Sequence, residues 1–147
     1  MVMKNIIFLD EISKADVASC GAKAANLGYL KKKFKVPEGF VVTTSAYSKF
    51  QKEKGLNKEL ENDIFSAFDK LETKFVAVRS SATSEDSSNA SFAGQFSTYL
   101  NVSKGNLIQS IKNCFASLFN PRVLNYLVSK NISSEEVSMA VLVQKMV

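Results

Sequence analysis

The sequence predicts a mixed α/β (α+β) fold, because helical and strand patterns alternate along a chain of ordinary globular composition. Stretches with apolar residues every three or four positions indicate helices. Short apolar runs rich in β-branched residues indicate strands. The 147 residues are 46% hydrophobic and 22% charged, which suits one domain or part of a larger one. A globular chain of this length can bury ~70% of its unfolded surface.

The first half of the chain predicts two strands and three helices. Leu27, Leu30 and Phe34 recur at helical spacing, and Pro37 follows as a helix breaker. Ser45 is expected to cap the second helix. The predicted strands span residues 6–9 and 40–44, and the predicted helices span 21–34, 45–54 and 58–71.

The second half predicts three strands and two helices. The run 75–78 is uniformly apolar, as in a strand buried on both faces. Pro121 follows Asn120, which is typical of a helix start. The last run, 141–147, is also apolar, and an unpaired apolar edge invites aggregation, so we infer that the natural fold continues beyond Val147. The predicted strands are 75–78, 96–102 and 138–147, and the predicted helices are 107–119 and one that begins at 121.

The chain contains no histidine, and this absence excludes several kinds of chemistry. Histidine general acid–base catalysis, Ser-His and Cys-His nucleophile pairs and histidine-ligated metals all require that side chain. The two cysteines have no metal-like spacing, and Cys114 lies on an apolar helix face, where we expect it to pack in the core. Any step that needs a histidine must therefore be supplied by another group.

Charge and hydropathy favour a cytoplasmic protein with a lysine-rich surface. The net charge is +5, and nearly all of the basic residues are lysines. A nucleic-acid interface would contain more arginines, and these would cluster with exposed aromatic side chains. We therefore expect no nucleic-acid partner. No stretch approaches ~20 consecutive apolar residues, so we expect no membrane span.

Three features suggest an anion site. Arg79 follows the apolar run 75–78, which would place it at the carboxyl end of a strand, where ligands bind in open α/β sheets. Its alternative role is an ion pair with Glu85 or Asp86. Lys23 stands at a predicted helix start, where free N–H groups favour anions, although a solvated lysine fits equally well. The Ser-rich segment 80–91 has the composition of a linker, but such loops can also cradle phosphate.

Several blocks of sequence, taken in order, resemble one protein family. The chain resembles the N-terminal nucleotide-binding domain shared by phosphoenolpyruvate synthase, pyruvate phosphate dikinase and the rifampicin phosphotransferases. The resemblance covers nearly the whole chain, and we interpret residues 1–147 as part of such an AMP/ATP-binding domain. The blocks are GAKAANLG (21–28), VPEGFVVTTSAY (36–47), VRSSATSED (78–86), ASFAGQ (90–95), FASLFN (115–120) and VQKMV (143–147).

The resemblance implies an ATP-grasp-like fold of which this chain is the first lobe, incomplete at its C-terminus. It implies that ATP is the ligand and that phosphoryl groups pass to a histidine on a separate domain. The family's magnesium-binding carboxylates would lie beyond this chain, and the missing domains would act in trans. Family members usually carry glycine where this chain has Ala22. The residues that the resemblance assigns to the nucleotide are Lys23, Arg79, Gly94, Thr98 and Gln144.

Two hypotheses of function follow. The first is the ATP-binding portion of a phosphoenolpyruvate synthase-like phosphotransferase, which would bind nucleotide weakly alone because one wall of the cleft is missing. The second is a non-catalytic fragment or interaction module that retains only the scaffold and associates through its exposed last strand. The phosphoryl acceptor cannot be named from this sequence, since acceptor specificity would lie on other domains.

Overall fold

A computed structural model describes residues 4–12, 17–82, 86–87, 90–91, 98–117, 121–129, 131 and 138–146. The strands are β1 (Ile6–Phe8), β2 (Gly39–Val42), β3 (Val76–Ala82), β4 (Asp86–Ser87), β5 (Ala90–Ser91), β6 (Thr98–Val102) and β7 (Met139–Lys145). The helices are α1 (Val17–Lys31), α2 (Thr44–Glu53), α3 (Lys58–Lys70), α4 (Lys104–Ala116) and α5 (Pro121–Ser129), and a short 3-10 helix spans Leu9–Glu11.

Five of the strands form one antiparallel sheet in the order β1-β2-β7-β3-β6. β4 and β5 pair separately as a small antiparallel hairpin. The predicted mixed α/β class is therefore confirmed. Because every pairing in the large sheet is antiparallel, the expectation of a ligand site at the carboxyl ends of parallel strands does not apply to it.

Helices cover both faces of the sheet, and each face has its own core. On the first face, small side chains let α1 and the 3-10 helix approach the strands closely. On the second face, larger side chains join the sheet to the other helices. The first core consists of Leu9, Ile12, Cys20, Ala24, Ala25, Val41, Ala140 and Leu142. The second includes Phe40, Val42, Tyr47, Ile64, Val76, Val78, Ile111, Cys114, Phe115, Leu127, Val141 and Val143.

The last strand is central, not exposed. β7 lies between β2 and β3, and residues 139–144 are all buried. Its apolar composition reflects burial on both faces, as expected for a strand covered by helices on each side. The prediction that this strand offers a sticky edge for association is therefore wrong. Among the strands that the structure describes, β1 and β6 are the edges of the sheet.

β3 is longer than the sequence predicted. It begins at Val76 and continues through Arg79, Ser80 and Ser81 to Ala82, pairing with β7 along its whole length. The side chain of Phe75, just before it, is 46% exposed. The Ser-rich segment therefore starts as a buried strand, because β7 supplies strand partners for residues 80–82.

The first two helices also differ from their predicted bounds. α1 begins at Val17, is broken by a non-helical Gly21, and ends at Lys31. α2 begins at Thr44 with Thr43 in the cap position, so Ser45 lies inside the helix and does not cap it. Thr43 instead donates its hydroxyl to the carbonyl of Lys4 at 2.7 Å, which ties this turn to the strand beside it.

α3 agrees closely with the sequence pattern. The Asn57 side chain accepts a hydrogen bond from the backbone N–H of Leu60 at 2.8 Å and so caps the helix. Leu60, Ile64 and Phe68 are buried in the second core as one stripe. Among the described residues, no helix has the length and apolar character needed to cross a membrane.

Candidate functional site

Arg79 lies in the middle of the sheet, not at the end of a strand. It is the fourth residue of β3 and pairs with Leu142 of β7 on one side and Thr98 of β6 on the other. Side chains alternate along a strand, so Arg79 shares the α1 face of the sheet with Leu142. The predicted position at a strand end is therefore wrong, because β3 extends three residues beyond Arg79.

The guanidinium of Arg79 has a buried donor without an acceptor. The Nε atom is buried and has no hydrogen-bond partner among the residues that the structure describes. The ion pair with Glu85 or Asp86 stays a prediction, since Glu85 and the side chain of Asp86 lie outside the described part. A buried donor left without an acceptor is costly, and a bound anion is one of the groups that can satisfy such a donor.

The start of α1 lies against the same strand. Gly21 has φ 80° and ψ 163°, so the helix restarts after it, with Lys23 as the second residue of the new segment. The Ala24 N–H donates to the hydroxyl of Ser81 at 3.3 Å. N–H groups in the first turn of a helix have no acceptor within the helix and carry partial positive charge. The fold therefore brings a helix N-terminus to β3, two residues along the strand from Arg79.

Thr98 is the first residue of β6, and Gly94 comes four residues earlier in the sequence. Thr98 is exposed and lies directly opposite Arg79 in the register. After it, β6 contains an extra residue relative to β3, and Asn101 adopts a left-handed conformation with φ 55°. Gly94 lies outside the described residues. The structure thus brings Thr98 beside Arg79.

Gln144 occupies the same face of the sheet but makes a structural contact. It is 6% exposed, and its Nε2 donates to the carbonyl of Pro37 at 3.0 Å. Gly39 pairs with it, and a Cβ at Gly39 would collide with the carbonyl oxygen of Val143. The amide of Gln144 therefore holds the turn before β2. Its contact with a nucleotide stays a prediction.

A cleft of about 570 Å³ opens beside this turn, where α1 ends and β7 leaves the sheet. Its volume falls in the range of ~300–1,000 Å³ usual for small-molecule sites. Three of its lining residues are lysines, so it is also positively charged. It is lined by Lys31, Lys35, Val36, Pro37, Glu38, Lys145 and Met146.

Sequence reasoning missed Ser81 and the role of Gly21. Composition predicts that Ser80 and Ser81 belong to the Ser-rich loop, yet each is 0% exposed within β3. The alternation of a strand was the available signal, because it places Ser81 on the face of Arg79 and Ser80 on the opposite face. The contact between Gly21 and Ser81 joins residues that are 60 positions apart, which no local pattern reveals.

Within the described part of the chain, no group of three or more histidine, cysteine, aspartate or glutamate side chains could hold a metal ion. The residues here therefore do not fit a magnesium site by themselves. The groups that they bring together are arginine, a hydroxyl and backbone N–H donors, which bind anions.

Comparison with known proteins agrees with this chemistry. The family model described as pyruvate phosphate dikinase, AMP/ATP-binding domain, matches residues 17–73 and 56–147. A probable phosphoenolpyruvate synthase of Archaeoglobus fulgidus is 35% identical over 184 residues, covering 97% of this chain and 24% of the relative. The phosphoenolpyruvate synthase of Aeropyrum pernix is 40% identical over 192 residues, covering 100% of this chain and 23% of the relative.

A phosphotransferase of Bacillus subtilis, itself uncharacterized, is 34% identical over 165 residues and covers 99% of this chain. The chain spans between 16% and 28% of the length of the curated relatives described above and others like them. The family match covers nearly all of the chain, because its two stretches together run from residue 17 to residue 147. The chain therefore belongs to the pyruvate phosphate dikinase AMP/ATP-binding domain family.

Proposed function

We propose that this chain binds the phosphates of ATP on the α1 face of its sheet, as the nucleotide-binding portion of a phosphoenolpyruvate synthase-like phosphotransferase. Arg79 and Lys23 contact the phosphates, and Thr98 lies beside them. Gly94 belongs to the same phosphate-binding segment, and Gln144 approaches the nucleotide from β7. The fold is accordingly the first lobe of an ATP-grasp-like domain.

The buried Nε of Arg79 carries this proposal. It has no acceptor among the described residues, and a phosphate oxygen would satisfy it. Arginine offers a planar fork of donors that matches phosphate geometry better than lysine does. The chain has 19 basic residues, of which only two are arginines, so an arginine retained in the middle of a sheet requires a specific reason.

The helix start supports the same assignment. Ser81 and Arg79 lie two residues apart on one strand, a separation of about 7 Å, and the restarted segment of α1 begins against Ser81. Backbone N–H groups and the positive end of the helix dipole would therefore lie near the guanidinium. A chain of phosphates could contact both.

The chemistry that ATP supplies is a phosphoryl group for transfer. Such transfer depends mainly on positioning and charge neutralisation, and the residues of this chain can contribute both by holding the phosphates. The chain has no histidine, so the phosphohistidine and the domains that carry it would act in trans. We propose that magnesium ligands also come from outside this chain, and that the protein works in the cytoplasm, where ATP is made and used.

Isothermal titration with ATP, ADP and adenosine, each with magnesium, tests the proposal. Two double variants are compared with the unaltered chain. Lys23→Ala with Arg79→Ala removes the proposed phosphate contacts. Lys49→Ala with Arg122→Ala removes the same residue types from exposed positions, so both double variants lose the same charge.

We expect ATP to bind more tightly than adenosine, and the first double variant to lose at least about tenfold in affinity for ATP, as the loss of charge-assisted hydrogen bonds predicts. The second double variant should bind like the unaltered chain. If the unaltered chain binds ATP no better than Lys23→Ala with Arg79→Ala, the phosphate site is wrongly assigned. Equal loss of ATP affinity in both double variants would indicate that ATP is attracted by the overall positive charge of the chain and not by this site.

A further inference from the structure

Gly21 and Ser81 touch without any space for a side chain between them. A Cβ placed on Gly21 would collide with both the carbonyl oxygen and the hydroxyl of Ser81. Gly21 also has φ 80°, a conformation that residues with side chains rarely adopt. The backbone of α1 therefore passes directly against the backbone of β3 at this point.

The Ser81 hydroxyl satisfies the helix start at this contact. It accepts the N–H of Ala24 at 3.3 Å, and both residues are completely buried. Ala24 is the third residue after the break at Gly21, so its N–H has no acceptor inside the helix. A capping hydroxyl normally comes from the residue just before the helix. Here it comes from a strand 57 residues away in sequence.

This contact joins the two elements that carry the proposed phosphate ligands. Lys23 immediately precedes Ala24 in α1, and Arg79 is two residues before Ser81 on the same face of β3. A shift of the helix start relative to β3 would therefore change the position of Lys23 relative to Arg79. Reactive geometries of this kind tolerate little displacement.

We propose that Ser81 is a positioning residue: its hydroxyl, packed against Gly21, fixes the start of α1 so that the phosphate contacts from α1 and β3 converge. The inference rests on the proposed function, since the contacts positioned are those of the ATP phosphates. Ser81 itself does not contact the nucleotide. It acts through the N–H of Ala24 and through the backbone of Gly21.

Ser81→Ala tests the proposal, with Ser80→Ala as the matched control. Ser80 is the adjacent residue on the same strand and is equally buried, but its side chain faces the second core. Ser81→Cys is a second variant of nearly the same size with a much weaker acceptor, for use if Ser81→Ala does not fold. Hydrogen exchange of the Ala24 amide and ATP affinity are measured well below the melting temperature. The melting temperature itself is measured separately by thermal unfolding.

We expect the Ala24 amide to exchange at least about tenfold faster in Ser81→Ala than in the unaltered chain, because its hydrogen-bond acceptor is gone. We also expect the affinity for ATP to fall about fivefold or more. Ser81→Cys should give an exchange rate and an ATP affinity between those of Ser81→Ala and those of the unaltered chain. Ser80→Ala should leave both the exchange rate of the Ala24 amide and the affinity for ATP unchanged, even where it lowers the melting temperature.

The outcomes separate this inference from the proposed function. Unchanged ATP affinity in Ser81→Ala, together with loss of affinity in Lys23→Ala with Arg79→Ala, would overturn the positioning role alone. Equal loss of affinity in Ser81→Ala and Ser80→Ala would also overturn it, because a general loss of packing would then explain both. If the unaltered chain binds ATP no better than the double variant, the proposed function fails and the positioning role fails with it.

Discussion

Tyr47 shows at the scale of one residue how burial sets chemical behaviour in this chain. It lies in α2, is 2% exposed, and its ring centroid is 5.3 Å from that of Phe115. Its hydroxyl accepts a hydrogen bond from Nε2 of Gln51 at 3.0 Å. Burial raises the pKa of Tyr47 from its ordinary value of 10.0 to about 12, because the phenolate would lose its hydration.

This pKa predicts a loss of stability at high pH that depends on Tyr47. A group whose pKa is raised by folding contributes stability that is complete below pH 10.0 and is lost as the pH rises through about 12. The free energy of unfolding should therefore fall less between these values in Tyr47→Phe than in the unaltered chain. The difference should approach about 2 kcal/mol, measured by urea unfolding at several pH values.

Absorbance at 295 nm during an alkaline titration provides the independent check on Tyr47. Tyr47→Phe should remove the ionisation step near pH 12. Loss of a step near pH 10 instead would mean that this hydroxyl is hydrated in the folded protein.

Arg79 and Ser81 show how much of the site single residues reveal in the sequence. The arginine was identifiable because it is rare in a lysine-rich chain and follows an apolar run. Its position within the strand is not predictable from the sequence, because the length of β3 depends on how far β3 pairs with β7. The Ser-rich composition places Ser81 in a loop, whereas the structure places it in β3, where it packs against Gly21.

Among the elements, α1 departs most from its sequence pattern. Leu27, Leu30 and Phe34 have helical spacing, but Leu30 is 38% exposed and Phe34 is 65% exposed. The helix packs on the sheet through small residues instead, chiefly Ala24 and Ala25. Small side chains permit the close approach that the Gly21 contact requires. Leu27 packs against this core, whereas Leu30 and Phe34 are left toward solvent.

α4 gives the opposite case, in which the pattern and the packing agree. Phe115 is completely buried, and its ring centroid lies 5.3 Å from that of Tyr47 and 5.2 Å from that of Phe50. The predicted packing of Cys114 in the core is also confirmed. Tilted aromatic contacts of this kind add to the stabilisation from burial itself. The cluster therefore joins α4 to α2.

Two phenylalanine substitutions should separate these elements. Phe115→Ala should lower the free energy of unfolding by about 3–5 kcal/mol, because it leaves a cavity between α2 and α4. Phe34→Ala, the matched control, should change it by no more than about 0.5 kcal/mol. Both are measured by urea unfolding at neutral pH. Similar losses in the two variants would show that Phe34 is buried in solution.

At the scale of the whole molecule, the last strand holds the sheet together. β7 joins the β1-β2 pair to the β3-β6 pair. The two pairs that it joins come from residues 6–42 and residues 76–102, both earlier in the chain, so the sheet is completed only when residues 139–145 are in place. This arrangement removes the edge on which the interaction-module hypothesis depended.

Native-state hydrogen exchange should report this central position. We expect the amides of residues 141–143 to exchange only through global unfolding, because these residues are buried and β7 is paired with a strand on each side of them. The β6 amides that point away from β3 serve as the internal comparison and should exchange faster, since β6 is an edge strand. Exchange in β7 as fast as in β6 would indicate that β7 detaches from the sheet.

The comparison with relatives also has a whole-molecule aspect. The alignment with the Aeropyrum pernix protein is 192 residues long, which exceeds the 147 residues of this chain. That relative therefore has residues within the matched region that this chain lacks. The two stretches matched by the family model overlap at residues 56–73, which contain α3.

The sequence by itself determined the mixed α/β class, the existence of most helices and strands, and the resemblance to a nucleotide-binding family. These properties depend on local periodicity and on contiguous blocks of residues, which a sequence displays directly. Only the tertiary structure decided that β7 is central, that Arg79 lies within a strand, and that Ser81 caps α1. Each of these depends on contacts between distant segments, whose energies appear only when strand order and packing bring the segments together.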